Sequence, residues 1–239
     1  MLTVTIYETS AQGNSLTQID TIAAIKDAIP LDIYPNKQFQ KIIGFGGSFT
    51  EASAYVLHTL SKKNKDSILQ AYFSSSGSQY SLTRTHINSC DFSLSNYSYA
   101  PIPGDKELQY FSIEKDKDGL IPMIQQAQSI SKEGFILIAS PWTAPPWMKD
   151  NGSWIGGKLL PEYNNTWANY YVKYINAYKK EGIDIWGITV INEPHGNGNN
   201  WESMLFTPLE MTTFVQTYLG PVLEQNGLGN VNILGYDQN

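Results

Sequence analysis

Residues 166–191 read TWANYYVKYINAYKKEGIDIWGITVI, and this stretch decides the fold. A helix-length amphipathic segment, TWANYYVKYINAYKKEG, ends at a glycine. A short apolar run, IWGITVI at 185–191, comes next. An unbroken apolar run of that length suits a strand buried on both faces, which is the situation in a parallel sheet.

The same pairing recurs along the chain. Upstream, FQKIIGFGGSF at 39–49 precedes the helical stretch EASAYVLHTLSKKNKDSILQAYF, where Thr50 is a plausible N-cap for a helix starting near Glu51. YSLTRTHI at 80–87 precedes a polar loop and a helix around GLIPMIQQAQSISKE. GFILIAS at 134–140 precedes the long loop PWTAPPWMKDNGSWIGGKLL and the opening helix. Downstream, a Gly/Asn-rich loop leads to the helix PLEMTTFVQTYLGPVLEQNG and a last run, VNILGY at 231–236. Alternation of this kind predicts parallel βα units. GFGG at 44–47 is no complete dinucleotide fingerprint, because position 49 is Phe. A close backbone approach at the barrel mouth explains these glycines better. The expected fold is therefore α/β, the N-terminal part of a (β/α)8 TIM barrel spanning residues 38–239. A complete barrel takes about 250 residues. The five strands here imply a chain that stops short of three more. Before residue 38 the rhythm differs: LTVTIYE, LTQIDTIAAI and LDIYP read as short strands broken by Gly13, Asn14, Pro30 and Pro35. Residues 1–37 form a separate N-terminal stretch of short strands in this reading.

Composition bounds the function. The 239 residues are 41% hydrophobic and 16% charged, with a net charge of -6. No basic stripe is present, which argues against nucleic acid as a partner. One cysteine, Cys90, permits no internal disulfide. The start, MLTVTIYETS, lacks the basic and apolar regions of a signal peptide, and no apolar run is long enough to span a bilayer. Fifteen Tyr, nine Phe and six Trp supply flat faces that suit sugar rings, or equally fill a core.

In parallel barrels chemistry sits where strands end. The second run ends in Arg84 and His86, with Asp91 beyond; the third in Ser140, Pro141 and Trp142; the fourth in Asn192, Glu193 and Pro194; the fifth in Asp237. Hydrogen-bonding edges, an aromatic face and carboxylates together make a sugar pocket. Glu193 is the sharpest candidate, because glycosidic cleavage needs a carboxylic acid to protonate the leaving oxygen. NEP alone also reads as a turn. Asn192 is placed to donate to a sugar hydroxyl or to cap the loop. Arg84 needs a partner, for which Asp91 or a catalytic carboxylate would serve, and a structural ion pair is the alternative. Asp91 falls in a polar loop where plain exposure is the default. Trp142, fixed among prolines, is a sugar platform or a core filler. His58, His86 and His195 show no metal-ligand spacing.

Taken together, FQKIIGFGGSFTEASAYVL, YSLTRTHINSCDFSLSNYSYA, ASPWTAPPWMKDNG, the helix and strand through NEP, and ILGYDQN resemble glycoside hydrolase family 30, within it the glucosylceramidase-like enzymes. The resemblance runs from about residue 38 to the end, and the short strands of residues 1–37 resemble the N-terminal piece of that family's side β-domain. It implies a (β/α)8 barrel that hydrolyses β-glycosides with retention and without metal or cofactor. It implies that Glu193 is the acid/base, with Arg84, Asp91, Trp142, Asn192, Asp237 and, more loosely, Trp201 as substrate-binding residues. The glucosylceramidase pattern has two acidic residues in a row at the fifth strand; here the first is Tyr236. The family places its nucleophile at the end of the seventh strand, which has no counterpart among these residues. Glu51 and Asp237 are stand-ins on paper only. The expectation is a retaining β-glucosidase of incomplete length, acting on glucosylceramide-like or other β-glucosides, secreted or periplasmic. An endo-β-1,6-glucanase or xylanase, and a non-catalytic carbohydrate-binding piece, are the alternatives.

Overall fold

The computed structural model describes residues 4–20, 29–195 and 200–238. The chain divides into two compact units, Met1–Ile42 and Ile43–Asn239. In the first, β1 (Ile6–Glu8) pairs antiparallel with β2 (Thr17–Ile19), Tyr7 opposite Gln18. The expected strand at 31–35 does not form; Lys37 N donates instead to Tyr34 O at 3.0 Å, closing a turn. Pro30 and Pro35 lack the N–H that a ladder requires, so that segment has little to pair with. Residues 21–25 of the expected second strand, and the Gly/Asn-rich positions 196–199, lie outside the described residues.

The second unit holds a five-stranded sheet: β3 (Ser48–Phe49), β4 (Leu82–Ile87), β5 (Ile136–Pro141), β6 (Gly187–Thr189) and β7 (Asn232–Leu234). Strand order follows chain order and every pair is parallel. A doubly wound sheet would reverse direction at a switch point. Here each strand is added on the same side of the last, which is barrel winding. β4 and β5 pair over six residues, from Leu82 opposite Ile136 to Ile87 opposite Pro141.

The first strand is shorter than the sequence implies. Residues 39–47 do not join the sheet. Gly46 lets the backbone close in on the start of β4: a Cβ there would stand 1.8 Å from Leu82 O. Phe45 O accepts from Ser81 N at 2.9 Å and Leu82 N at 3.2 Å. The close backbone approach expected of these glycines is real, but Leu82 opens β4, so it lies at the foot of the strands and not at the mouth.

The first helical stretch is two helices, α1 (Glu51–Thr59) and α2 (Lys62–Phe73). Thr50 caps α1 in a reciprocal box with Ser53. Leu60 is extended, and Ser61 caps α2 through Asn64 N, so two adjacent caps split the stretch. The short α3 (Glu114–Lys117) and α4 (Leu120–Ile130) precede β5. α5 (Asn164–Lys180) buries Trp167, Tyr170, Tyr171, Tyr174 and Tyr178, one face at helical spacing. The last connection is α6 (Pro208–Phe214), a π-turn at Val215–Leu219, and α7 (Gly220–Gln225). Pro221 has no N–H to give an upstream carbonyl, which accounts for the irregular turn before it.

A single carboxylate organises much of this core. Asp116 is 2% exposed and accepts three tyrosine hydroxyls: Tyr97 at 3.1 Å, Tyr99 at 2.6 Å and Tyr178 at 2.7 Å. Burial pushes its carboxyl up, while the tyrosine hydroxyls that donate to it act in the opposite direction. Asp116→Ala leaves buried hydroxyls without an acceptor, at a cost of about 1–3 kcal/mol for each one left unpaired. The expected result is a clear drop in thermal midpoint; Tyr97→Phe, the longest of the three bonds, should cost less than Tyr178→Phe.

Glu210 provides a surface counterpart. Lys158 Nζ at 2.7 Å and Thr207 N at 2.8 Å hold its carboxyl at about 2. Its folded value lies below the unfolded one, so the stabilisation is present above the ordinary glutamate range and is lost as pH falls toward 2. Glu210→Gln should therefore melt below the wild type at pH 6, and the gap should close by about pH 2 in a pH series of thermal melts.

Candidate active site

The strands deliver their last residues to one end of the sheet. Arg84 on β4 is the centre. Its Nε donates to Ser140 Oγ at the end of β5 at 2.9 Å. One terminal nitrogen donates to Asn192 Oδ1 at 2.8 Å and to Asp237 Oδ2 at 2.5 Å. Thr189 on β6 donates to the same Asp237 oxygen at 2.9 Å. The guanidinium carbon lies 4.9 Å from the centroid of the half-buried Trp142 ring. Four strands thus meet at one cation. Among the described residues its ion-pair partner is Asp237, not Asp91.

This geometry fixes the orientation of Asn192. Arginine only donates, so the side-chain oxygen must face it, and the amide NH2 is turned away with both donors. Backbone contacts hold the same corner. Asn192 N donates to Pro141 O and Glu193 N to Asp237 O, both at 2.7 Å, and Asn192 bridges Asp237 in parallel register. Glu193, half-buried, has φ +45°, and Tyr236 has φ +55°. Left-handed backbone at a non-glycine residue costs energy and persists only where neighbours impose it. Here the carbonyls of Pro141 and Asp237 impose it.

His86 is a framework residue. Its Nε2 accepts from Glu51 N at 3.1 Å, and its Nδ1 lies 2.6 Å from Asn88 O. A carbonyl can only accept, so Nδ1 carries the proton and the ring is neutral. Asn88, at φ +64°, bonds Tyr99 N, Tyr170 OH and Thr143 O through its side chain.

Asp91 is exposed at the rim. Partial burial raises its carboxyl, Glu202 adds to the rise, and Trp142 and Arg84 lower it. Trp201, half-buried, precedes Glu202 in the loop after β6. That loop is locked to the one after β5: Ser203 N donates to Trp154 O at 3.0 Å, and Leu205 N to Gly157 O at 2.9 Å. Lys149 Nζ donates to Ser153 O at 2.7 Å and Ser203 O at 2.9 Å. Burial pulls this amine down to about 7.

The sequence-derived set therefore divides. Arg84, Trp142, Asn192 and Asp237 form one contacting cluster, with Glu193 joined to it through the backbone. Asp91 and Trp201 belong to the rim loops. Ser140 and Thr189, which sequence reasoning gave no role, complete the cluster; their position at strand ends was the available signal. The two paper stand-ins for a nucleophile are engaged elsewhere. Glu51 pairs with Lys115 at 2.9 Å and accepts from Leu94 N at 3.0 Å, while Asp237 is tied to Arg84. Among the described residues no group of three or more His, Cys, Asp and Glu side chains could hold a metal ion, and no helix is long and apolar enough to cross a membrane.

Residues 42–239 match the glycosyl hydrolase family 30 TIM-barrel domain. The chain is 37% identical over 243 residues to the lysosomal acid glucosylceramidase of Mus musculus, covering 97% of this chain and 47% of that protein. It is 28% identical over 218 residues to an endo-1,6-beta-D-glucanase of Neurospora crassa, covering 88% and 45%. Among solved structures, SrfJ from Salmonella typhimurium superposes with a TM-score of 0.79 at 38% identity, covering 83% of this chain and 44% of that one. An endo-beta1,6-glucanase superposes with a TM-score of 0.81 at 33% identity, covering 95% and 50%. The chain spans about half the length of the curated relatives it matches. With the family match running from the first barrel strand through the fifth, this chain belongs to glycosyl hydrolase family 30.

Proposed function

We propose that this chain carries the acid/base half of a retaining β-glucosidase centre, with Glu193 as the proton donor. Glu193 in its acid form gives its proton to the glycosidic oxygen as the C1–O bond breaks and a second carboxylate bonds to C1. The Glu193 carboxylate then takes a proton from water, whose oxygen displaces that carboxylate from C1. The second carboxylate comes from the part of the relatives that this chain does not span. Asn192 turns its NH2 to a sugar hydroxyl, Arg84 and Asp237 fix that corner, and Trp142, Asp91 and Trp201 bound the sugar. The observation that carries the reading is the corner itself: Glu193 is held in left-handed backbone by Asp237 O, beside a cluster drawn from four strand ends.

The substrate class follows the relatives. A β-glucoside with a lipid aglycone is the first reading, on the 37% identity to the glucosylceramidase. A β-1,6-linked glucan is the second, on an endo-glucanase that matches 95% of the chain. Turnover of glucosylceramide against β-1,6-linked oligosaccharides separates them.

In protein that carries both carboxylates, Glu193→Ala should lower kcat on alkyl β-glucosides by about 10²–10⁴-fold. Dinitrophenyl glucoside, whose leaving group needs no proton, should suffer less at the glycosylation step. Azide should restore turnover as the β-glucosyl azide. Equal losses on both substrates with no azide product would assign Glu193 another role. Arg84→Lys keeps the charge but loses the fork that reaches Ser140, Asn192 and Asp237 together. Calorimetry should show glucose-configured ligands bound about tenfold or more weakly; unchanged affinity would place the sugar elsewhere.

A further inference from the structure

The loop from Ser89 to Tyr97 carries Asp91. Its base is closed twice: Ser89 N donates to Tyr97 O at 3.1 Å, and Tyr97 N to Ser89 Oγ at 3.0 Å. The start of α1 pins its middle. Ala52 N donates to Phe92 O at 2.9 Å, and Leu94 N to Glu51 Oε2 at 3.0 Å. A further anchor comes from far along the chain: Asn96 Nδ2 donates to Glu202 Oε1 at 2.7 Å.

Glu202 is only 5% exposed. A buried side-chain oxygen needs a hydrogen-bond donor, and an apolar residue would fill such a place at less cost. What this carboxylate does is reach from the loop after β6, next to Trp201, to the loop after β4 that holds Asp91. Its neighbour Ser203 is fixed in turn by Lys149 and by Gly156 N, so the anchor is itself rigid. The electrostatic influence of Glu202 on Asp91 agrees with this proximity.

We propose that Glu202 is a positioning residue: through its hydrogen bond with Asn96 it fixes the loop that carries Asp91, and so sets where the Asp91 carboxylate meets the hydroxyls of a bound sugar. The proposal rests on the glycosidase reading above. It also makes the acceptor oxygen the essential feature of Glu202. The negative charge is dispensable, because a glutamine oxygen accepts the same bond.

The test is calorimetric titration of protein that carries both carboxylates with a glucose-configured imino sugar, with thermal melts alongside. Glu202→Ala and Asn96→Ala should each weaken binding about tenfold, and the double variant should be no weaker than either single one, since one shared bond is lost. Glu202→Gln should bind within about twofold of the wild type. A purely packing role would not give non-additive losses with rescue by glutamine. Wild-type affinity in Glu202→Ala overturns the proposal, as do fully additive losses or a glutamine variant as weak as the alanine one. Asn96→Ala removes the same bond from an exposed position and decides the matter where Glu202→Ala fails to fold: wild-type affinity in it overturns the proposal. Asp91→Asn separates the two levels of inference. If it weakens binding while Glu202→Ala does not, only the positioning role falls. If the wild type binds no imino sugar, the glycosidase reading falls and takes the proposal with it.

Discussion

One guanidinium holds the end of this sheet together. Arg84 stands on the second of five parallel strands and reaches the ends of the third, fourth and fifth through Ser140, Asn192 and Asp237. Parallel strands share backbone bonds only with their neighbours, so nothing in the ladder aligns β4 with β7. A planar group with five donors in fixed directions can do so. Only after this alignment does Asp237 present its carbonyl to Glu193 N, and only then is the left-handed backbone at Glu193 worth its strain.

A second constraint works behind the first. Asp116 gathers the hydroxyls of Tyr97, Tyr99 and Tyr178, tying the loop after β4 to the buried face of α5. His86 and Asn88 extend the same network to the start of α1 and to Thr143. The rim loops are therefore not loose extensions of a rigid scaffold. Each is bonded to the framework at several points, and Glu202 and Lys149 bond them to one another. A sugar's hydroxyls demand placement within a few tenths of an ångström, which argues for that much reinforcement.

Glucosylceramide and β-1,6-glucan differ in everything beyond the first sugar. In the proposed reading the corner around Glu193 and Arg84 would serve a glucosyl ring in either case, and discrimination would fall to groups outside it, where Tyr236 stands exposed beside His195, their rings 5.9 Å apart and edge to face. The acidic residue of the glucosylceramidase pattern is replaced here by an aromatic one, a change in charge and in shape at the same rim.

Much of this was legible in the sequence. Apolar runs of strand length, alternating with amphipathic stretches, determined the parallel sheet and its order, because burial on both faces leaves few other places for FILIA or ITVI. NEP after ITVI placed Asn192 and Glu193 just beyond a strand end, where the structure finds them. Local capping was readable too, as Thr50 shows. Other features were not. Ser61 and Leu60 divide one helix into two through competing caps that periodicity does not register. The glycines at 44–47 proved to serve the foot of β4, since which backbone they approach is a matter of packing. Above all, the partner of Arg84 lies 153 positions away at Asp237, while Asp91, only seven positions away, is not its ion-pair partner. Sequence determined which groups stand at strand ends, because that depends on local pattern. Tertiary structure decided which of them meet, because a hydrogen bond is set by distance and angle across strands that the chain visits far apart in order.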